Sequence, residues 1–181
     1  MIITIVNISL KLEFEPGCGR FIDPVLNPFK SANKPEYTLE LLPKDDIPAK
    51  GSCLTVNDRQ ILASSEFYTA SMDLASGKGE IACPLEHMAG SVTNFIKILY
   101  SHLILEQGGI LLHAAGVVRD NMAHIFFGPS GSGKSTITDL SKDCDILSDE
   151  LVAVIKDGDC FKACGMPDWK YGSPARSQVR G

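Results

Sequence analysis

The chain has 181 residues, 44% hydrophobic and 22% charged, the proportions of a globular protein of one or two domains. Its net charge of −5 and isoelectric point near 5.3, with no block of Lys and Arg to reverse them locally, argue against nucleic acid or an anionic membrane surface as partner. Cys18, Cys53, Cys83, Cys144, Cys160 and Cys164 form no Cys-x-x-Cys pair and have no His-x-x-x-His companion, a pattern of reduced thiols in a cytoplasmic protein rather than of a disulfide framework or zinc site.

The N-terminus, MIITIVNISLKLEFE, lacks a basic leader and a small-residue cleavage site, so it does not read as a signal peptide. Ile2 to Phe14 alternates as a strand until Pro16, Gly17 and Gly19 break it, and the polar, Pro-rich stretch from Asp23 to Pro35 reads as loop. Tyr37 to Leu42 predicts a short strand. Cys53 to Leu62 predicts a hairpin turning at Asn57-Asp58. Phe67 to Leu74 and Glu80 to Ala82 predict two more strands across Ser76-Gly77-Lys78-Gly79. Residues 1–90 thus form a β-rich N-terminal region, and 91–181 a second domain.

In that second part, Val92, Phe95, Ile96, Leu99 and Leu103 recur at spacings of three and four, which predicts an amphipathic helix capped by Ser91 and ended by Gly108-Gly109. Lys97, His102 and Glu106 keep the segment from Val92 to Leu112 from reading as a membrane span. Ile110 to Val118 and Met122 to Phe127 are strands joined by the turn Arg119-Asp120-Asn121, the second of them short, apolar and predicted to be buried. The chain then reads Gly128-Pro-Ser130-Gly131-Ser132-Gly133-Lys134-Ser135-Thr136 and enters a helix running to about Ser141.

This is the pattern G-x-x-x-x-G-K-[ST] of a phosphate-binding loop. Gly131 and Gly133 permit backbone conformations closed to other residues, so successive N–H groups can line one concave site. The following helix turns its positive end toward the same place. Lys134 offers a point charge to the β- and γ-phosphates of ATP, and the Ser135 hydroxyl an oxygen to Mg²⁺. A turn that merely joined strand to helix would have no need of the Lys-Ser pair. Downstream, Asp145 to Leu147 predicts a short buried strand ending at Ser148-Asp149-Glu150. Leu151 to Ile155 and Cys160 to Ala163 predict a hairpin across Asp157-Gly158. A parallel β-α-β array would offer another helix there.

The loop spelling alone resembles transporter ATPases, but the long helical insert, signature loop and distant acid pair of those proteins are missing, as is the Asn-Lys-x-Asp element of GTPases. The succession ILLHAAGVV with His113, FFGPSGSGKST, and ILSDELVAV with Asp149 and Glu150 resembles instead the HPr serine kinase/phosphorylase family, with its distant relatives the phosphoenolpyruvate carboxykinases. The match runs from Gly108 to about Val154. It is nearest to divergent HPr-kinase-like proteins, often encoded beside peptide-modification genes. The resemblance implies an α/β fold with an HPr-kinase/carboxykinase-like core, preceded here by the β-rich region. Two departures stand out: Asp149-Glu150 replaces the usual pair of aspartates, and the family's second signature and C-terminal helices do not follow before Gly181, so the core reads as truncated or incomplete.

The expected activity is ATP-dependent transfer of the γ-phosphate to a serine hydroxyl of a protein or peptide. The alternative is a non-catalytic nucleotide-binding scaffold or regulator in a peptide-modification pathway. Gly128, Ser130, Gly131, Ser132, Gly133, Lys134, Ser135 and Thr136 would hold the nucleotide, Ser135 and Asp149 the Mg²⁺, and Asp149, Glu150 and His113 would serve catalysis. Adjacent acids on a strand face opposite ways, so one of the two is expected to face the phosphates. His113 in its apolar strand reads either as a hydrogen-bonded core histidine or as a partner of the site. His124 reads as structural, and His87 and His102 receive no role. Trp169 and Tyr171 suit packing in a C-terminal loop better than stacking on a base. Since HPr kinases assemble as hexamers, the resemblance also admits a homo-oligomer.

Overall fold

Along the first fourteen residues Ile3 and Ile5, then Ile8, Leu10 and Leu12 are buried in alternation, with Val6 and Ser9 also buried, so the alternation slips by one between Ile5 and Ile8. A single strand cannot change which face its odd residues occupy. In the computed structural model, which describes residues 1–47, 51–168 and 177–179, this stretch is accordingly a hairpin. Strands β1 (Ile2–Ile5) and β2 (Ile8–Phe14) pair antiparallel around a tight turn in which Val6 takes φ 59°. The one long strand expected from Ile2 to Phe14 is therefore two.

The chain is a mixed α/β protein of two units, Met1–Leu99 and Tyr100–Gly181. In the first unit, β2 is followed by helix α1 (Gly19–Leu26) and a 3₁₀ turn, Asn27–Phe29, where the sequence read as loop. Ile22, Val25, Leu26 and Phe29 are all buried at helical spacing. Four such side chains contribute about 1.5–3 kcal/mol each, which outweighs the roughly 3 kcal/mol that Pro24 costs a helix interior. Strands β3 (Tyr37–Pro43), β4 (Cys53–Val56), β5 (Gln60–Ser64), β6 (Thr69–Asp73) and β7 (Lys78–Cys83) complete a seven-stranded mixed sheet in the order β1-β2-β3-β7-β6-β5-β4. The β2–β3 and β3–β7 pairs are parallel, the others antiparallel. The β4–β5 hairpin turns where expected, with the Asn57 side chain accepting the amides of Arg59 and Gln60.

Helix α2 (Met88–Glu106) crosses the division between the units. Val92, Phe95, Ile96 and Leu99 are buried on one side of that division and Tyr100, Leu103 and Ile104 on the other, a continuous stripe at spacings of three and one. The helix begins at Met88, after Pro84 and a 3₁₀ turn over Leu85–His87, so Ser91 lies buried inside it and is not its cap.

The second unit is built on β8 (Ile110–Arg119). Along one edge β8 pairs with β9 (Met122–Phe127). Along the other it pairs with β10 (Asp145–Ser148) and then β11 (Leu151–Asp157), which itself pairs with β12 (Cys160–Gly165). All of these pairings are antiparallel. Ser177–Val179 (β13) adds to β12 and meets β9 at one parallel bridge. Ala114, Ala123, Leu147, Val152 and Ala163 form the core, with Leu112, Val118, Ile125 and Val154 packed against it. Helix α3 (Lys134–Leu140) follows β9.

The strand β9 departs from its expected burial. Ala123 is buried, but Phe126 is 37% and Phe127 77% exposed, because only one of its edges is fully paired and its end runs out toward the glycine-rich loop. Trp169 and Tyr171 lie outside the described residues. Among the described residues no helix is long and apolar enough to cross a membrane.

Candidate functional site

Between β9 and α3 the chain makes the loop 128–133. Gly131 has φ 80° and Gly133 φ 92°, both in the left-handed region, and nothing lies within 4 Å of where a Cβ would stand on either. Glycine is required here by backbone conformation and not by crowding. Such left-handed positions are the backbone from which concave arrays of N–H groups are built. The Ser132 amide donates to the Pro129 carbonyl (3.2 Å), which tightens the loop, and the Ile137 amide donates to the Gly133 carbonyl (3.0 Å), which starts the helix. Helix α3 has only seven residues and no side-chain cap. Its dipole is correspondingly modest, and any hold on an anion falls mainly to the loop amides and Lys134.

Lys134 is 9% exposed, and its Nζ donates to the carbonyls of Gly128 (2.8 Å) and Pro129 (3.1 Å). The ammonium is thus held across the loop by the loop's own backbone. The buried Thr138 hydroxyl donates to the Ser135 carbonyl (2.9 Å), fixing the first turn, while Ser135 and Thr136 themselves are exposed.

The acidic pair sits at the junction of β10 and β11. Ser148 opposes Gly116 and Leu151 opposes His113, so β10 and β11 continue one register along β8, the irregularity lying between Ile146 and Ser148. The buried Ser148 hydroxyl accepts the amides of both Glu150 and Leu151 (3.1 Å each), and the Ala114 amide donates to the Glu150 carbonyl (3.0 Å). The resulting bend presents Asp149 from beside the part of β8 that carries His113.

His113, Ser130, Gly131, Gly133, Lys134, Ser135, Thr136 and Asp149 line one cleft of about 300 Å³. Eight of the residues singled out from the sequence therefore meet in one place. The others do not line it. Gly128 instead supplies a carbonyl to Lys134, and Ser132 faces a neighbouring cleft. Glu150, expected at the site, is tied through its backbone to Ser148 and Ala114 and leaves the cleft to Asp149. His113 is exposed, which removes the reading of a core histidine. His124 is also exposed, on β9, and His87 stacks near Phe67 with ring centres 4.5 Å apart.

Two residues escaped the sequence reading. Ser148 sets the bend that carries Asp149, and a hydroxyl two residues before a pair of turning amides was the available signal. Phe126, two residues before Gly128, lines the second cleft, and its signal was an aromatic placed where the strand runs out.

Among the described residues no three His, Cys, Asp or Glu side chains gather as a metal site. The donors in the cleft are one hydroxyl and one carboxylate, Ser135 and Asp149. That sparse oxygen set fits Mg²⁺, which keeps waters and shares phosphate oxygens, and does not fit a metal caged by protein alone. Searches for relatives found no matching family model and no matching curated protein.

Proposed function

We propose that this chain is a nucleotide-dependent phosphotransferase resembling the HPr serine kinases, which moves the γ-phosphate of ATP to a serine hydroxyl of a protein or peptide. One observation carries the reading: six of the phosphate-loop residues, from Ser130 to Thr136, share a single cleft with Asp149 and His113. A carboxylate at the phosphates can help hold Mg²⁺ and can take the proton of an attacking hydroxyl, which is what phosphoryl transfer asks of the protein beyond the loop itself.

The loop amides and Lys134 hold the triphosphate, with Lys134 exchanging the carbonyls of Gly128 and Pro129 for phosphate oxygens. Ser135 and Asp149 would hold Mg²⁺, which would neutralise charge on the phosphates. Asp149 orients the acceptor hydroxyl in line with the γ-phosphorus. The hydroxyl oxygen forms a bond to that phosphorus as its bond to the β–γ bridging oxygen breaks. ADP leaves, and the hydroxyl proton passes to Asp149. His113, at the cleft wall, is placed to hydrogen-bond the carboxylate or the γ-phosphate. In this reading the core is an HPr-kinase/carboxykinase-like one, the protein works in the cytoplasm, and its partners are nucleotide and a protein or peptide acceptor.

The test is transfer of labelled γ-phosphate to serine-containing peptides by the wild type and by Asp149→Asn. Transfer that falls 10²- to 10⁴-fold in the variant, with ATP affinity retained, supports the reading. ATP binding without transfer to any peptide or protein would leave the second reading, a non-catalytic nucleotide-binding regulator. That alternative draws on the Glu150 side chain standing outside the cleft.

A further inference from the structure

A second cleft of about 300 Å³ adjoins the first, lined by Ile125, Phe126, Phe127, Ser132, Lys134 and Ile137. Lys134 belongs to both clefts. Of the strand residues around the second cleft, Phe126 shares a face with His113, since Phe126 is the cross-strand partner of Ala115 and His113 lies two residues before Ala115, while Ile125 and Phe127 belong to the opposite face. The chemistry of the two clefts differs sharply. The first offers a hydroxyl-rich loop, an ammonium, an imidazole and a carboxylate. Four of the six residues around the second are Ile or Phe, and Phe126 remains 37% exposed beside a half-buried Ile137.

We infer that the second cleft seats the purine base of the nucleotide, stacked on Phe126 against Ile137, while the triphosphate lies in the first. The inference rests on reading the loop as a triphosphate site. A nucleoside triphosphate is itself a polar anion joined to a flat aromatic ring, and Lys134 marks where the two environments join. The area needs an aromatic or apolar occupant that reaches it from the phosphates, and the base is the part of the nucleotide that meets both conditions. Stacking accepts any base because every base presents a π-face, and among the described residues the lining side chains include no carboxylate, amide or second cation to tell adenine from guanine. ATP and GTP should therefore bind alike.

The experiment is calorimetric titration of the full chain, with Mg²⁺, by ATP, GTP and inorganic tripolyphosphate. A stacked base is worth roughly five- to a hundredfold in affinity. The wild type is expected to bind ATP and GTP within about threefold of each other, and both about tenfold or more tightly than tripolyphosphate. Phe126→Ala should erase that advantage and leave tripolyphosphate binding unchanged, which also reports that the variant is folded. Phe126→Tyr should restore it. Equal affinity of the wild type for ATP and tripolyphosphate overturns the inference without any variant, as does full ATP affinity in Phe126→Ala. If Lys134→Ala still abolishes binding in those cases, the triphosphate reading survives and only the seat of the base falls. A tenfold preference for one purine overturns stacking as the mode of recognition. Failure of all three ligands to bind the wild type overturns the inference together with the reading beneath it.

Discussion

Substituting Gly133 by Ala tests the phosphate loop at its most constrained point. Gly133 stands at φ 92°, ψ 13°, directly before α3, and its added methyl would meet nothing within 4 Å. Steric crowding from neighbours is therefore absent, and the whole penalty lies in the backbone. An L-residue held in the left-handed region costs about 1–2 kcal/mol. The chain can respond in two ways. If the loop keeps its shape, urea unfolding should report a loss of about 1–2 kcal/mol with an unchanged m-value, and nucleotide binding should persist. If the loop relaxes to negative φ, stability should be nearly regained, but the amides no longer converge and ATP affinity should fall at least tenfold. Each route leaves a mark, and urea titration paired with calorimetry reads both. Gly131→Ala, at φ 80° and equally uncrowded, should behave the same way. A Gly133→Ala protein with wild-type stability and wild-type ATP affinity would refute the claim that this loop is a backbone-built anion site.

Burial of Cys83 pushes its thiol up to about 11 from an ordinary value of 9.0, so folding disfavours the thiolate. The associated stability, roughly 2–3 kcal/mol, is complete below pH 9 and should be lost as pH rises toward 11. Tyr68 is also raised by burial and acts on the same limb, so the measurement is the difference in slope between wild type and Cys83→Ala, and identical slopes would contradict it. All six cysteines are thiols outside any disulfide, with Cys53 and Cys160 exposed, Cys144 half-buried and Cys18, Cys83 and Cys164 buried. Thiol titration with a chromogenic disulfide should show two fast groups, one slower, and three that react only in denaturant. Leu147→Ala, in the core of the second unit, should cost about 2–5 kcal/mol by urea unfolding, whereas a loss under 1 kcal/mol would show that this core is loosely packed.

The parts of this fold that were legible in the sequence share a cause. Asn57-Asp58 and Asp157-Gly158 mark turns by local chemistry, and the α2 stripe from Val92 to Leu103 repeats long enough to exclude a strand. What escaped depended on distant partners. Helix α1 exists because Ile22, Val25, Leu26 and Phe29 are buried, which no local feature around Pro24 announces. The hairpin at Val6 was visible only as a slip in alternation. The site divides along the same line. The glycines, Lys134 and Ser135 were readable because backbone conformation and phosphate chemistry fix them locally. The convergence of His113 and Asp149 was an expectation drawn from resemblance, and it depends on a bulged pairing of β8 with β10 and β11 that spacing alone does not encode. Of the two adjacent acids it is Asp149 that lines the cleft, as alternation along an extended chain allows for only one of them.

The most direct measurement is the affinity of the full chain for MgATP before and after Lys134→Ala, with circular dichroism to confirm that both proteins are folded. Lys134 is the one side chain common to both clefts and the one cation among the loop residues. A charge-assisted contact of this kind is worth about 1.5–3 kcal/mol, so the account predicts affinity lower by roughly ten- to a hundredfold or more. Equal affinity in the two proteins, or no binding of MgATP by the wild type, would contradict it.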